Sequence, residues 1–330
     1  MDSILKNPLR INRLIAAGLL LSSPVHAVLV NRWSFNSSAG NATSGTVIPD
    51  PISNQPATVW SGTAAANLAS FDGTGLLLPG ATTGNQAPAN LSAYIDLPNG
   101  IVSSKTDFSL EIWATPVSVK NWQRLFDFGR TNLSGNAAAQ GAGAAAGEIL
   151  STATVAPGTT SSSDDFMLAI NRGTTADTQR FAARLNGGTE LQSDTGAGLG
   201  TSESHFVVTF QDGVGSYGSN GGRMTWYRNG TQVTTLDVNF HLNSIEDVNN
   251  WLGRSQFAGD SNANVRYNEV RVYDHAMTPA EISASFNAGA DPAAPVAVAD
   301  AVTMHRGQKA RIAVLANDSN VAAVPKIAIE

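Results

Sequence analysis

From Val28 to about Gly289 the chain is a series of short apolar or alternating runs, each cut off by Gly, Asn, Asp, Ser or Pro. A strand repeats its side-chain direction every two residues, so alternation marks a strand with one buried face. "DFSLEIWAT" (107–115) shows this most clearly. Phe108, Leu110, Ile112 and Ala114 fall on one face, and Asp107, Ser109, Glu111, Trp113 and Thr115 on the other. "WQRLFDFG" (122–129), "DFMLAINR" (165–172), "SHFVVTFQ" (204–211) and "RMTWYRNGTQVTTL" (223–236) read the same way. In the last, Asn229-Gly230 predicts a hairpin with a type I′ turn, whose two central residues need the positive φ that Asn and Gly adopt at low cost. In "RYNEVRVYDHAMTPAEI" (266–282), Glu269, Arg271 and Tyr273 share one face of a strand while Val270 and Val272 point the other way. A helix over 279–287 follows. Thr278 caps it, Pro279 suits its first turn, Glu281 completes a T-x-x-E capping box and Gly289 suits its end. Many short strands and one confident helix predict an all-β fold of two antiparallel sheets.

The flanks and one internal segment break this pattern. Residues 1–27 have the parts of a secretory signal peptide: Lys6, Arg10 and Arg13, then the apolar run Leu14 to Leu21, then Pro24 and an expected cut after Ala27. That run is too short to span a bilayer well, and no later run is long enough. The expectation is a secreted or cell-surface protein with no membrane span in its mature chain. Residues 131–163 are biased to Gly, Ala, Ser and Thr and read as a flexible insertion, with a short edge strand expected at 148–155. Residues 290–295 read as a linker. The tail 296–330 starts a new β pattern but holds only about 35 residues, against roughly 100 in an immunoglobulin-like sandwich.

Composition narrows the chemistry. The formal net charge is -6 and no basic block is present, which argues against nucleic acid as a partner. The absence of cysteine excludes disulfides, thiolate metal sites and a cysteine nucleophile.

Four stretches, "NRWSFN" (31–36), "AYIDLPNGIVSSKTDFSLEIWATP" (93–116), "WQRLFDFG" (122–129) and "NWLGRSQFAGDSNANVRYNEVRVYDHAMTPAEISASFNAG" (250–289), in this order resemble the LamG-like jelly-roll domain of the concanavalin A-like lectin/glucanase superfamily. The resemblance implies a jelly-roll sandwich over 28–289, with one concave sheet and adjacent N- and C-terminal strands. The tail, with "VLAND" at 314–318, resembles the start of a bacterial Ig-like or cadherin-like repeat. The superfamily includes lectins, glycan-binding and adhesive modules, glucanases and lyases, so each function has to be tested on the residues.

The enzyme signatures do not assemble. A retaining glucanase needs two carboxylates about 5 Å apart, and Glu111 stands alone on its strand. "RYNEVR" mimics the R-x-E-x-R motif of jelly-roll alginate lyases, but the accompanying Q-x-H and Tyr/Lys-rich strands are missing. There is no G-x-S-x-G elbow and no H-x-x-x-H spacing. No catalytic residue is therefore assigned.

Two binding chemistries stay open. Calcium wants six to eight oxygen ligands, and loops carrying Asp72, and Asp260 with Asn262, offer them. "GDSNAN" is not an EF-hand, because Val265 and Arg271 stand where that loop needs Gly and Glu. A sugar site needs an aromatic platform with polar neighbours. Trp113 shares a face with Glu111 and Thr115, and Trp122 follows a loop, so Glu111, Trp113 and Trp122 are the candidate ligand-binding residues. The expectation is an exported, non-catalytic module that binds a polysaccharide, a glycan or a cell-surface protein, with calcium as the candidate cofactor. The alternatives are a carbohydrate-active enzyme with a site on the concave sheet, and a structural spacer in an adhesin-like chain.

Overall fold

The computed structural model describes residues 28–81, 91–130, 164–186, 188–196, 199–257 and 260–291. The leader-like stretch 1–27, the insertion 131–163 with its expected strand, the linker beyond Asp291 and the tail 296–330 lie outside these residues.

The described strands are β1 (Leu29–Ser34), β2 (Gly40–Ala42), β3 (Thr46–Ile48), β4 (Ala57–Trp60), β5 (Ala69–Phe71), β6 (Leu76–Leu77), β7 (Tyr94–Leu97), β8 (Phe108–Pro116), β9 (Arg124–Arg130), β10 (Asp164–Ala169), β11 (Gln179–Arg184), β12 (Leu191–Thr195), β13 (Ser204–Asp212), β14 (Gly222–Arg228), β15 (Thr231–Val238), β16 (Asn249–Leu252) and β17 (Val265–Tyr273), followed by helix α1 (Pro279–Ala288). They form two antiparallel sheets. The nine-stranded sheet runs β15-β14-β13-β8-β17-β6-β5-β2, with β1 also on β17, and the eight-stranded sheet runs β12-β11-β10-β9-β16-β7-β4-β3.

The alternation read from the sequence sets the core. Phe108, Leu110, Ile112 and Ala114 of β8 join Phe206, Val208, Trp226, Val270 and Val272 from the same sheet. Facing them are Ile95, Phe126, Phe128, Phe166, Leu168, Phe181 and Leu252 of the eight-stranded sheet. Each such side chain, fully buried, contributes about 1.5–3 kcal/mol. The strand expected from residue 122 begins only at Arg124, because Trp122 holds φ 52, a left-handed conformation no strand continues through. Likewise β10 stops at Ala169 rather than running on to Arg172, which enters a tight turn and bridges to Thr175.

The chain closes on β17. One edge of β17 pairs with β8 and the other with β1, from Leu29 opposite Tyr273 to Ser34 opposite Glu269. A bulge at Asn268 lets both Tyr267 and Val270 face the core. The predicted hairpin is present, with Asn229 at φ 49 and Gly230 at φ 77 joining β14 to β15. The predicted capping box is also present: the Thr278 side chain accepts from the Glu281 amide, and Glu281 accepts from the Thr278 amide. Helix α1 lies on the outer face of the nine-stranded sheet, with Met277 and Ile282 packed on Val207 and Tyr227.

Candidate functional site

Helix α1 decides the fate of the first candidate residues. Glu111 and Trp113 point outward from β8 as their alternation predicts, but that face is not open. Glu111 is 0% exposed and Trp113 3%. Glu111 accepts from Tyr273 at 2.8 Å and lies 2.8 Å from Nε2 of His205, with the Arg271 guanidinium at 3.4 Å. Trp113 is sandwiched between the His205 ring at 4.4 Å and Arg271 at 4.6 Å. Glu269, also fully buried, takes Arg271 at 2.8 Å together with Arg32 and Ser34 of β1. Burial alone would raise the Glu111 carboxyl, but the His205 hydrogen bond and the Arg271 charge hold it below the usual range. The expected half-open ligand face is therefore corrected. It is a buried charge network that fastens β8, β13, β17 and β1 together beneath α1.

The metal candidates each bond to protein groups. Asp72 is held by Arg266 at 2.7 and 3.0 Å and accepts from Thr74. Asp260 is held by Arg124 at 2.8 Å and by Ser255 at 2.8 Å, and Asn262 donates to the Ser92 carbonyl. Arg266 belongs to one sheet and Arg124 to the other, so these three residues do not gather around one point. Among the described residues, no group of three or more His, Asp or Glu is placed to hold a metal ion.

The outer face of the eight-stranded sheet is built differently. Pairing registers place Thr58, Asp96, Trp251, Asp127, Met167, Ala182 and Gln192 in one row across seven strands. A bulge in β9 sends both Leu125 and Phe126 into the core, which turns Arg124 onto the same outer face as Asp127. The two pair at 3.1 Å. One strand over, Asp165 takes two bonds from Arg184, at 2.9 and 2.8 Å. Segment 253–257 folds over this pair of ion pairs. The Gln256 amide donates to Asp127 at 3.0 Å, and the Phe257 ring lies against both guanidinium groups, 5.6 Å from Arg124 and 4.9 Å from Arg184. Burial pushes the Asp127 carboxyl up to about 8, against the pull of Arg124, and Asp165 up to about 6, against Arg184.

Trp122 sits at the rim of this face and stays half-exposed. Its ring packs on Met167, Ala169 and Ala182, with the Arg180 guanidinium 5.0 Å from the ring centre. Arg180 is itself held by Asp194 at 2.8 and 3.0 Å and by Glu190 at 2.9 Å. The Trp122 amide donates to Gly173 at 3.0 Å, which fixes the left-handed turn that lifts the ring off the strand. Val117 and Val119, on the loop leading into Trp122, are 47% and 45% exposed. Of the three ligand-binding candidates, only Trp122 reaches solvent in a setting of aromatic surface and fixed polar groups.

Sequence reading missed Arg124, Asp127, Asp165 and Arg184. For Asp127, Asp165 and Arg184 the one signal was a charge at an outward position beside core Phe and Ala, as in "RLFDFG" and "DDFML"; Arg124 had none, because strict alternation points it inward.

A family model described as the concanavalin A-like lectin/glucanases superfamily matches residues 89–283. No curated protein matches the chain. Among solved structures, the chain is similar to domain 4 of AbnA, a GH43 extracellular arabinanase from Geobacillus stearothermophilus, solved in complex with arabinotriose. The TM-score is 0.47 at 14% identity, covering 78% of this chain and 98% of that one. It is also similar to the Trypanosoma rangeli sialidase in complex with sialic acid, with a TM-score of 0.48 at 16% identity over 79% of this chain and 33% of that one. The binding domain of Paraclostridial Mosquitocidal Protein 1 gives 0.46 at 14% identity over 79% and 52%.

Proposed function

This chain belongs to the concanavalin A-like lectin/glucanases superfamily, and from that premise we propose that it is an exported, non-catalytic module that binds a glycan through the outer face of its eight-stranded sheet. One observation carries the reading. Trp122 is a partly exposed aromatic ring, locked on a left-handed backbone beside the guanidinium of Arg180, which the carboxylates of Asp194 and Glu190 hold in place. A sugar presents a flat apolar face and a rim of hydroxyls. It asks for an aromatic platform beside donors and acceptors already held in place. The arginine and carboxylates hold one another, so little side-chain freedom is lost on binding. A cell-surface glycan is the target that the leader-like residues 1–27 favour.

The test is an array of neutral and acidic polysaccharides, followed by calorimetry on the best binder. Trp122→Ala is expected to weaken binding at least tenfold while the protein still melts cooperatively, and Trp122→Phe to restore part of the affinity. Binding unchanged in Trp122→Ala moves the site away from this rim. Binding to nothing on the array leaves the spacer reading in place.

The enzyme reading has one observation on its side: Asp127 and Asp165 are carboxylates on adjacent strands, both with raised pKa. Both are fully buried, and each is tied to an arginine under Gln256 and Phe257. A substrate would have to displace that segment first. Release of products from the same polysaccharides, abolished by Asp127→Asn, would establish an enzyme.

A further inference from the structure

At the opposite end of the same sheet from Trp122, Asn54, Gln55, Pro56, Thr58, Asp96, Leu97, Pro98 and Asn99 line an open cleft of about 390 Å³. We propose that this cleft is a second sugar subsite, selective for a neutral ring, lying on the same sheet face as the Trp122 rim. The proposal rests on the glycan-binding reading above and adds a place and a ligand class to it.

The chemistry comes from the lining. Thr58 and Asp96 stand directly opposite each other on β4 and β7 and begin the row that crosses the outer face. Asn54, Gln55 and Asn99 supply amides that both donate and accept. Pro56 and Pro98 supply apolar wall, while the Leu97 side chain turns inward to the core and lends only its backbone. Among the described residues of the lining there is no lysine, arginine or histidine. Such a lining matches hydroxyls, which donate and accept in turn, and offers a uronate or a sulfated sugar no cation to pair with. The volume lies within the range of small-ligand sites.

Both walls are fixed before any ligand arrives. Asp50 accepts from the amides of Arg32 and Ile52 and from the side chains of Asn31 and Ser53, which pins the loop entering the cleft. Asn31 also donates to the Gln55 side-chain oxygen at 3.2 Å, and Trp33 to the Gln55 carbonyl at 3.0 Å. Across the cleft, Asn250 donates to the Pro98 carbonyl at 2.9 Å, and Asp247 accepts from the Val102 amide. A polar cleft with amide, hydroxyl and carboxylate groups held on pinned loops loses little entropy on binding a polyol.

The experiment is an amide-resolved NMR titration of the full chain with cellobiose, maltose, arabinobiose and digalacturonate as separate probes, with calcium chloride as a control. Expected are saturable shifts of the Asn54, Gln55 and Asn99 side-chain amides with at least one neutral disaccharide. They should weaken at least tenfold in Thr58→Ala/Asn99→Ala and persist in Trp122→Ala. Both substituted positions are partly or fully exposed, so the fold should tolerate them. Shifts confined to the Trp122 rim overturn the subsite and leave the glycan reading standing. Digalacturonate or calcium acting in preference to the neutral probes also overturns it. Silence of every probe at both places, with an empty polysaccharide array, removes the glycan reading as well.

Discussion

Two carboxylates with opposite environments illustrate what single residues contribute. Glu111 is buried but surrounded by groups that favour its charge, so removing that charge strands its partners. Glu111→Gln leaves Arg271 without one of its counter-charges and disturbs the contacts to His205 and Tyr273. It is expected to lower stability by about 3–5 kcal/mol, the usual cost of breaking a buried pair from one side. A denaturant titration at neutral pH measures this, and an unmoved midpoint would show that the network contributes little. Asp127 is the reverse case, since burial raises its pKa to about 8. A carboxyl whose pKa is higher in the fold than in the unfolded chain holds its proton more tightly when folded. Its contribution is therefore fully present below about pH 4 and is lost as pH climbs through the folded value. Asp165, raised to about 6, acts in the same sense at lower pH. Asp127→Asn cannot ionise, so its stability is expected to fall less than that of the unaltered protein between about pH 4 and 8. Parallel melting curves across that range would contradict the assignment.

At the level of elements, the local signals that were clearest in the sequence are those whose energetics stay local. The Asn229-Gly230 turn and the Thr278–Glu281 capping box form from residues within a few positions of each other, so spacing alone reveals them. Thr278→Ala removes the side-chain cap on the Glu281 amide and the hydroxyl's own bond to the Glu281 carboxylate, while the backbone amide at 278 can still donate to Glu281; it is expected to cost about 1 kcal/mol, read as a lower thermal midpoint. Strand ends were less legible. The sequence pattern continued β9 back to residue 122, whereas a left-handed backbone at Trp122 stops it. The bulges at Leu125 and Asn268 each insert one residue into a regular alternation, and they place Arg124 and Tyr267 where strict period-two reading would not. Gly129 shows why some positions tolerate no change. At φ 148 its missing side chain leaves room for the Asp164 carbonyl, which a Cβ would meet at 2.1 Å.

For the whole molecule, closure is the central feature. The Val28 amide donates to Asp274, β1 lies along β17, and Arg271 reaches the carbonyl of Ala290 beyond α1. The first and last described elements thus hold one sheet together and cover its charged outer face. A chain ended at Asp274 would uncover Glu111, His205 and Glu269 at once, and is expected to lose its single cooperative calorimetric transition. Retention of that transition would make α1 an ornament on the sandwich. The sequence by itself determined the sheet-forming runs, their inward faces, the hairpin and the capped helix. It also carried the family resemblance, because periodicity and turn chemistry act over a few residues. Only the tertiary structure decided which outward faces are open. A polar residue alternating outward looks the same in sequence whether water, a helix or a folded-back segment covers it. The cover comes from far along the chain: 160 residues separate Arg271 from Glu111, and 129 separate Gln256 from Asp127. Those distant contacts removed Glu111 and Trp113 from the binding surface, tied Asp72 and Asp260 to arginines on different sheets, and left Trp122 as the candidate that still reaches solvent.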